Sequence, residues 1–70
     1  MKQSMKLTVN GEERHYEQEP TLKELITDLK IADKVMAAAV NMEIVKKDRW
    51  TEHRLHDGDR IELLHFVGGG

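Results

Sequence analysis

The stretch that decides the fold is Val35–Val40, which reads Val-Met-Ala-Ala-Ala-Val. Alanine has the highest helix propensity, so the run could form a second helix reaching Lys47. It is also a short apolar run that fits a central strand buried on both faces, and periodicity does not separate the two readings. Asn41 follows as a turn signal, and Met42–Val45 then reads as a short partner strand. We therefore predict a strand over 35–40.

Downstream of this strand pair the pattern becomes irregular. Lys46–Arg49 is a cluster of charges that we interpret as solvated. Trp50 and Leu55 are large apolar residues in an otherwise polar stretch, and we expect them to anchor it onto the core. Asp57–Asp59 has glycine between two aspartates, which predicts a tight turn before the last strand.

The predicted last strand should present its side chains on two different faces. Ile61 and Leu63 point one way, and Leu64 and Phe66 the other, because side chains alternate along a strand. If the first pair faces the helix, the second pair is exposed, and we predict that Leu64 and Phe66, with Val67, bind partners. The alternative is ordinary surface exposure of single apolar residues.

Upstream, the chain opens on a predicted hairpin. Met5–Val9 alternates apolar and polar residues, as a half-buried strand does. Asn10-Gly11 is a strong hairpin signal, because both residues tolerate positive φ. Glu12–Gln18 returns as a very polar strand in which Tyr16 is the only large apolar residue. We predict that it forms a solvent-exposed edge.

A helix start follows the hairpin. Thr21 and Glu24 fit the capping box, in which each side chain bonds to the other residue's backbone N–H. Four apolar residues then recur at helical spacing and predict one buried stripe. They are Leu22, Leu25, Ile26 and Leu29.

Composition limits the class of protein. The chain has 70 residues, net charge −2, 34% charged and 39% hydrophobic residues, and no cysteine. This predicts one globular domain over residues 1–70, with a flexible tail over residues 67–70 and no disulfide or thiolate metal site. No dense basic stripe suggests nucleic-acid binding. No apolar run is long enough to span a membrane, and we expect a cytoplasmic protein.

The element order is strand, strand, helix, strand, short strand, strand. It suits a mixed sheet of four to five strands with one helix packed across one face. This is the α+β architecture called β-grasp, or ubiquitin-like.

The tail ends in Gly68, Gly69 and Gly70. A side-chain-free tail is thin enough to enter a partner's nucleotide pocket. The ionised carboxylate of Gly70 is a poor electrophile, but transfer to the α-phosphate of ATP gives an acyl-adenylate that a sulfur or nitrogen nucleophile attacks. The alternative is a frayed end or a cloning remnant.

Other motifs are weaker. His53 and His56 could ligate a metal if helical, but nothing completes the site, and we interpret them as loop histidines. The glycines follow neither the dinucleotide nor the P-loop spacing. We therefore expect no active site, metal or cofactor in this chain, and ATP belongs to its partner enzyme.

Three segments together resemble the ThiS family, the sulfur carriers of thiamine biosynthesis. They are Ala39–Trp50, Leu55–Glu62 and His65–Gly70. The resemblance implies a β-grasp carrier protein, not an enzyme. It implies that an E1-like adenylyltransferase of the ThiF type adenylates Gly70, that a sulfur donor enzyme supports conversion to a thiocarboxylate, and that a ThiG-type thiazole synthase receives the sulfur. This sequence departs from the family pattern in the extra glycine at Gly68 and in the polar residues 1–4.

Two alternatives stay open. The small subunit of molybdopterin synthase uses the same tail chemistry for another acceptor. A ubiquitin-like protein modifier or interaction module would have its tail joined to lysine or unused. The short chain and the approach His65–Val67 favour the thiazole carrier.

Overall fold

The computed structural model describes residues 5–65. This part of the chain contains five strands and one α-helix, joined by short loops. Their bounds are β1 Met5–Val9, β2 Glu12–Tyr16, α1 Leu22–Asp28, β3 Val35–Val40, β4 Glu43–Ile44 and β5 Arg60–His65.

The strands form one mixed sheet in the order β2-β1-β5-β3-β4. The pair β1–β5 is parallel and the other three pairs are antiparallel. The last strand of the chain therefore lies in the middle of the sheet, and α1 packs on one face. This confirms the predicted mixed sheet with one helix.

The run Val35–Val40 is a strand, as predicted, but burial on both faces is wrong. Val35, Ala38 and Val40 are buried, whereas Met36 is 62% exposed. The strand lies inside the sheet, between β5 and the edge strand β4. The helix covers one face of the sheet only, so β3 has a single core-facing side.

Both hairpin turns use the left-handed region. Asn10 and Gly11 have φ of 50° and 86°, as the Asn-Gly signal predicts. Asn41 and Met42 adopt nearly the same turn with φ of 51° and 71°. The predicted polar edge strand is confirmed, although β2 ends at Tyr16 rather than at Gln18.

The helix begins as its sequence predicts but ends before Leu29, the last residue of the predicted stripe. Glu24 N donates to Thr21 Oγ1 at 3.1 Å, and Thr21 N donates to Glu24 Oε1 at 2.8 Å, so the capping box is formed. The helix ends at Asp28, and Leu29 caps it and is half-buried. Lys30 follows with φ of 63°, which terminates the helix.

The core lies between α1 and one face of the sheet. It contains Leu22, Leu25 and Ile26 of the predicted stripe together with residues of β1, β3 and β5, whereas Leu29 is only partly buried against it. Trp50 and Leu55 join the core as predicted. The fully buried large side chains are Leu7, Leu22, Leu25, Ile26, Trp50, Leu55 and Ile61. The charge cluster before Trp50 is exposed as expected, but Lys47–Arg49 forms a 3-10 helix that the sequence pattern did not predict.

Candidate partner-docking surface

The strand that leads to the C-terminal tail presents two different faces. Ile61 and Leu63 are buried under the helix, whereas Glu62 and Leu64 point away from it. Leu64 is 59% exposed, as the sequence predicts. A large apolar side chain thus stands on the open face of the sheet, six residues before the chain's last glycine.

The strand register gives Leu64 its neighbours. Leu64 lies opposite Ala37 of β3, and Glu62 lies opposite Ala39. On the far side of β3, Ala39 lies opposite Ile44 of β4. Directly opposed residues share a face of the sheet, so the two small alanines lie between two larger apolar side chains.

The result is an apolar groove of about 280 Å³ on the open face of the sheet. We call it the Leu64–Ile44 groove. Its floor is Ala37–Ala39, and its rims carry Leu64 and Ile44. Ile44 is 70% exposed, so both rims are accessible. Exposed apolar surface in one continuous groove is typical of a protein contact site.

The position of Ile44 depends on the buried side chain of Trp50 behind it. Val45 N donates to the carbonyl oxygen of Ala38 at 2.9 Å. Trp50 Nε1 donates to the carbonyl oxygen of Val45 at 3.0 Å. Trp50 is 2% exposed and packs in the core. The indole thus holds the short edge strand against β3.

A second, charged groove of about 480 Å³ begins on the other side of Ile44. Lys46, Arg49, Glu43 and Glu52 line it, and Arg49 pairs with Glu52 at 2.9 Å. Charges of both signs beside an apolar groove resemble the polar rim of a protein interface.

The other half of the open face is polar. Lys6 and Thr8 on β1 lie opposite His15 and Glu13 on β2. Lys6 Nζ forms an exposed ion pair with Glu13 at 3.2 Å. The apolar surface is therefore restricted to the half of the sheet built by β5, β3 and β4.

The remaining predicted site residues, Phe66, Val67, Gly68, Gly69 and Gly70, lie outside the described residues. The structure adds Ile44, Ala37 and Ala39, which the sequence reasoning missed as surface residues. The run of three alanines in β3 was the available signal. The pairing of Ala39 with Ile44 depends on register, which sequence alternation does not give.

The two loop histidines do not form a metal site with any neighbours among residues 5–65. No group of three or more His, Cys, Asp or Glu side chains in that range could hold a metal ion. His56 Nδ1 instead lies 2.9 Å from Glu19 Oε2. This hydrogen bond, together with the Glu19 charge, raises the pKa of His56 above its ordinary value. No helix within the described range is long and apolar enough to cross a membrane.

A comparison with protein-family models matches residues 4–70 to the ThiS family. The chain belongs to the ThiS family. The matched range includes the Leu64–Ile44 groove, Trp50 and the C-terminal glycines. The resemblance found in the sequence is therefore confirmed.

Relatives of two kinds resemble this ThiS-family chain. The sulfur carrier protein ThiS of Bacillus subtilis is 35% identical over 65 residues, which is 91% of this chain and 98% of that protein. A thiazole synthase of Paramagnetospirillum magneticum is 38% identical over 66 residues, which is 94% of this chain. The chain spans only 20% of that longer protein.

A solved structure confirms the fold of this ThiS-family chain. The crystal structure of the thiamine biosynthesis protein ThiS from Geobacter metallireducens matches with a TM-score of 0.77 and 33% sequence identity. The match covers 94% of this chain and 100% of that one. The β-grasp fold predicted from the element order is thus confirmed.

Proposed function

We propose that this chain carries sulfur for thiazole formation in thiamine biosynthesis, and that the C-terminal carboxylate of Gly70 is the carrying group. The observation that carries the proposal is the match to the Bacillus subtilis sulfur carrier over 98% of that protein's length. The chain acts as a co-substrate of partner enzymes and supplies no catalytic side chain of its own.

The chemistry has two steps. First, a carboxylate oxygen of Gly70 attacks the α-phosphorus of ATP, pyrophosphate leaves, and an acyl-adenylate forms. Second, hydrosulfide attacks the acyl carbon and gives up its proton. AMP leaves with one former carboxylate oxygen, and a thiocarboxylate remains. ATP is bound by the E1-like partner of the ThiF type.

The Leu64–Ile44 groove supports this role, because it offers a partner a contact surface close to the reacting end. Leu64 lies in β5, which ends at His65, and it precedes Gly70 by six residues in the sequence. A partner that binds the groove brings the tail to its active site at high effective concentration. We propose that the E1-like enzyme docks here and that Phe66 and Val67 extend the contact.

A thiazole synthase of the ThiG type is the proposed sulfur acceptor. A region similar to this chain occurs within the Paramagnetospirillum magneticum thiazole synthase. That similarity favours a thiazole acceptor over molybdopterin synthase, the alternative that the tail chemistry alone leaves open.

The test is reconstitution with purified proteins. The full chain, ATP, an E1-like enzyme and sulfide should give a product with one oxygen replaced by sulfur at the C-terminus, read by intact-protein mass spectrometry. Thiazole synthase should then consume that thiocarboxylate. Absence of exchange with E1-like enzymes, or a tail linked to lysine side chains, overturns the proposal. If the thiocarboxylate instead delivers its sulfur to a molybdopterin precursor, the carrier role holds but the proposed thiazole acceptor is wrong.

A further inference from the structure

We propose that Asn10, in the first hairpin turn, is a positioning residue that holds the tail-bearing end of β5 for partner enzymes. Leu63 N donates to Asn10 Oδ1 at 2.8 Å, and Asn10 Nδ2 donates to the Leu63 carbonyl oxygen at 3.3 Å. The two residues are 53 positions apart in the sequence. One side-chain amide thus bonds to both backbone groups of Leu63, directly before Leu64.

The contact replaces a backbone hydrogen bond that the β1–β5 pairing lacks. Backbone pairing of β1 with β5 stops at Val9, opposite Ile61. Asn10 N still donates to the Ile61 carbonyl oxygen at 2.9 Å, but the chain then turns away, with φ of 50° at Asn10. In a regular parallel ladder the next bond would join Leu63 N to the backbone carbonyl of Asn10. The Asn10 side chain makes that bond instead.

The two sides of this strand end are held differently. On its β3 side β5 stays paired as far as His65, with a register shift between Val35 and Ala37. On its β1 side the backbone pairing ends at Ile61. The bidentate amide of Asn10 therefore supplies the bond to Leu63 on the β1 side.

The consequence for function rests on the carrier role proposed above. A partner must bind Leu64 on the open face and receive the tail from the same strand. If the end of β5 opens, Leu64 is no longer held in the sheet, and partner binding then requires the strand end to close again. Loss of Asn10 should therefore raise KM for the carrier more than it lowers kcat.

The molecule contains a matched control at the opposite end of β5. Asn41 has φ of 51° in the second hairpin turn, and its Oδ1 accepts from Arg60 N at 3.0 Å. Asn41 Nδ2 donates to Asp59 Oδ1 at 2.9 Å. Glycine adopts positive φ without strain, so Asn10→Gly and Asn41→Gly each remove an amide and leave its turn geometry accessible.

The experiment compares these variants with wild type, all well below their melting temperatures. Amide hydrogen exchange at Leu63 should be roughly tenfold faster in Asn10→Gly, the factor corresponding to about 1.4 kcal/mol, with Arg60 unchanged. Asn41→Gly should show the reverse pattern.

In the E1-like reaction, followed by pyrophosphate release, Asn10→Gly should raise KM several-fold, and Asn41→Gly should behave as wild type. Asn10→Asp keeps the acceptor for Leu63 N, so it should recover part of the loss.

Two results separate the possible failures. If wild type reacts and Asn10→Gly has an unchanged KM, or both glycine variants raise KM equally, Asn10 is a structural residue only and the positioning role is overturned. If wild type forms no adenylate or thiocarboxylate, the carrier function itself fails, and the positioning role fails with it. The exchange pattern then still reports whether the amide holds the strand.

Discussion

The indole of Trp50 donates a hydrogen bond from Nε1 to the carbonyl oxygen of Val45 at 3.0 Å, inside the core. Val45 directly follows Ile44, which forms one rim of the Leu64–Ile44 groove. A fully packed aromatic residue therefore fixes an exposed residue of the proposed docking surface. We therefore expect stability and the proposed partner binding to be linked at this point of the fold.

Replacing Trp50 tests that link. Trp50→Phe keeps an aromatic ring but leaves the buried Val45 carbonyl without its donor, which should cost about 1–3 kcal/mol. Trp50→Ala should cost about 3–5 kcal/mol. Urea unfolding followed by far-UV circular dichroism measures both changes, since the chain's one tryptophan is lost. A Trp50→Phe variant as stable as wild type would show that the hydrogen bond contributes little.

Truncating Leu25 tests the helix–sheet core. Its side chain is fully buried between α1 and the sheet, so Leu25→Ala should destabilise the domain by about 2–5 kcal/mol. Thr27→Ala, on the exposed side of the same helix, is the control and should change stability by less than about 0.5 kcal/mol. Equal effects in chemical denaturation would contradict the packing described for this helix.

Placing a charge in the Leu64–Ile44 groove tests the docking surface. Leu64→Asp should weaken binding of the E1-like enzyme by about 2 kcal/mol or more, as loss of a hot-spot side chain does. Met42→Asp is the control, because Met42 is 88% exposed on a hairpin turn outside the groove. Binding is measured by calorimetry, and circular dichroism checks the fold. Unchanged affinity of a folded Leu64→Asp variant would remove this site.

Shortening the tail tests whether its length positions the reaction. Deleting Gly70 leaves a Gly-Gly ending, since Gly68 and Gly69 remain, but we expect the shortened tail to fall short of the α-phosphate. We expect no oxygen-to-sulfur exchange by mass spectrometry. Gly69→Val should fail as well, because a β-branched side chain stiffens and widens the tail. A truncated chain that forms thiocarboxylate as fast as wild type would refute this prediction.

The contact between His56 and Glu19 predicts a local pH dependence. Because its hydrogen bond to Glu19 raises the folded pKa of His56, the pair stabilises the fold below the ordinary histidine pKa. That contribution disappears as pH rises through the raised folded pKa. Glu19→Gln should lower the pKa of His56 in an NMR titration. Glu13→Gln, which removes a carboxylate on the open face, is the control and should leave the His56 pKa unchanged.

Local sequence signals were sufficient for most elements of the fold. Alternation along Met5–Val9, the Asn10-Gly11 pair and the Thr21–Glu24 capping box each act over a few residues, so the chain specifies them without distant contacts. The same holds for the chemistry proposed at Gly70, which depends on a terminal carboxylate and on the absence of side chains near it.

The partners of each strand were decided by the tertiary structure. The alanines of β3 are compatible with a helix or with burial on two faces, and pairing with β5 and β4 selects a strand with one open face. Ile44 meets the Leu64 surface only through the register of Ala39. Asn10 reaches Leu63 across 53 residues of chain. Side-chain alternation repeats every two residues and carries no information about which strand lies alongside, so these contacts arise only when the sheet assembles around its shared core.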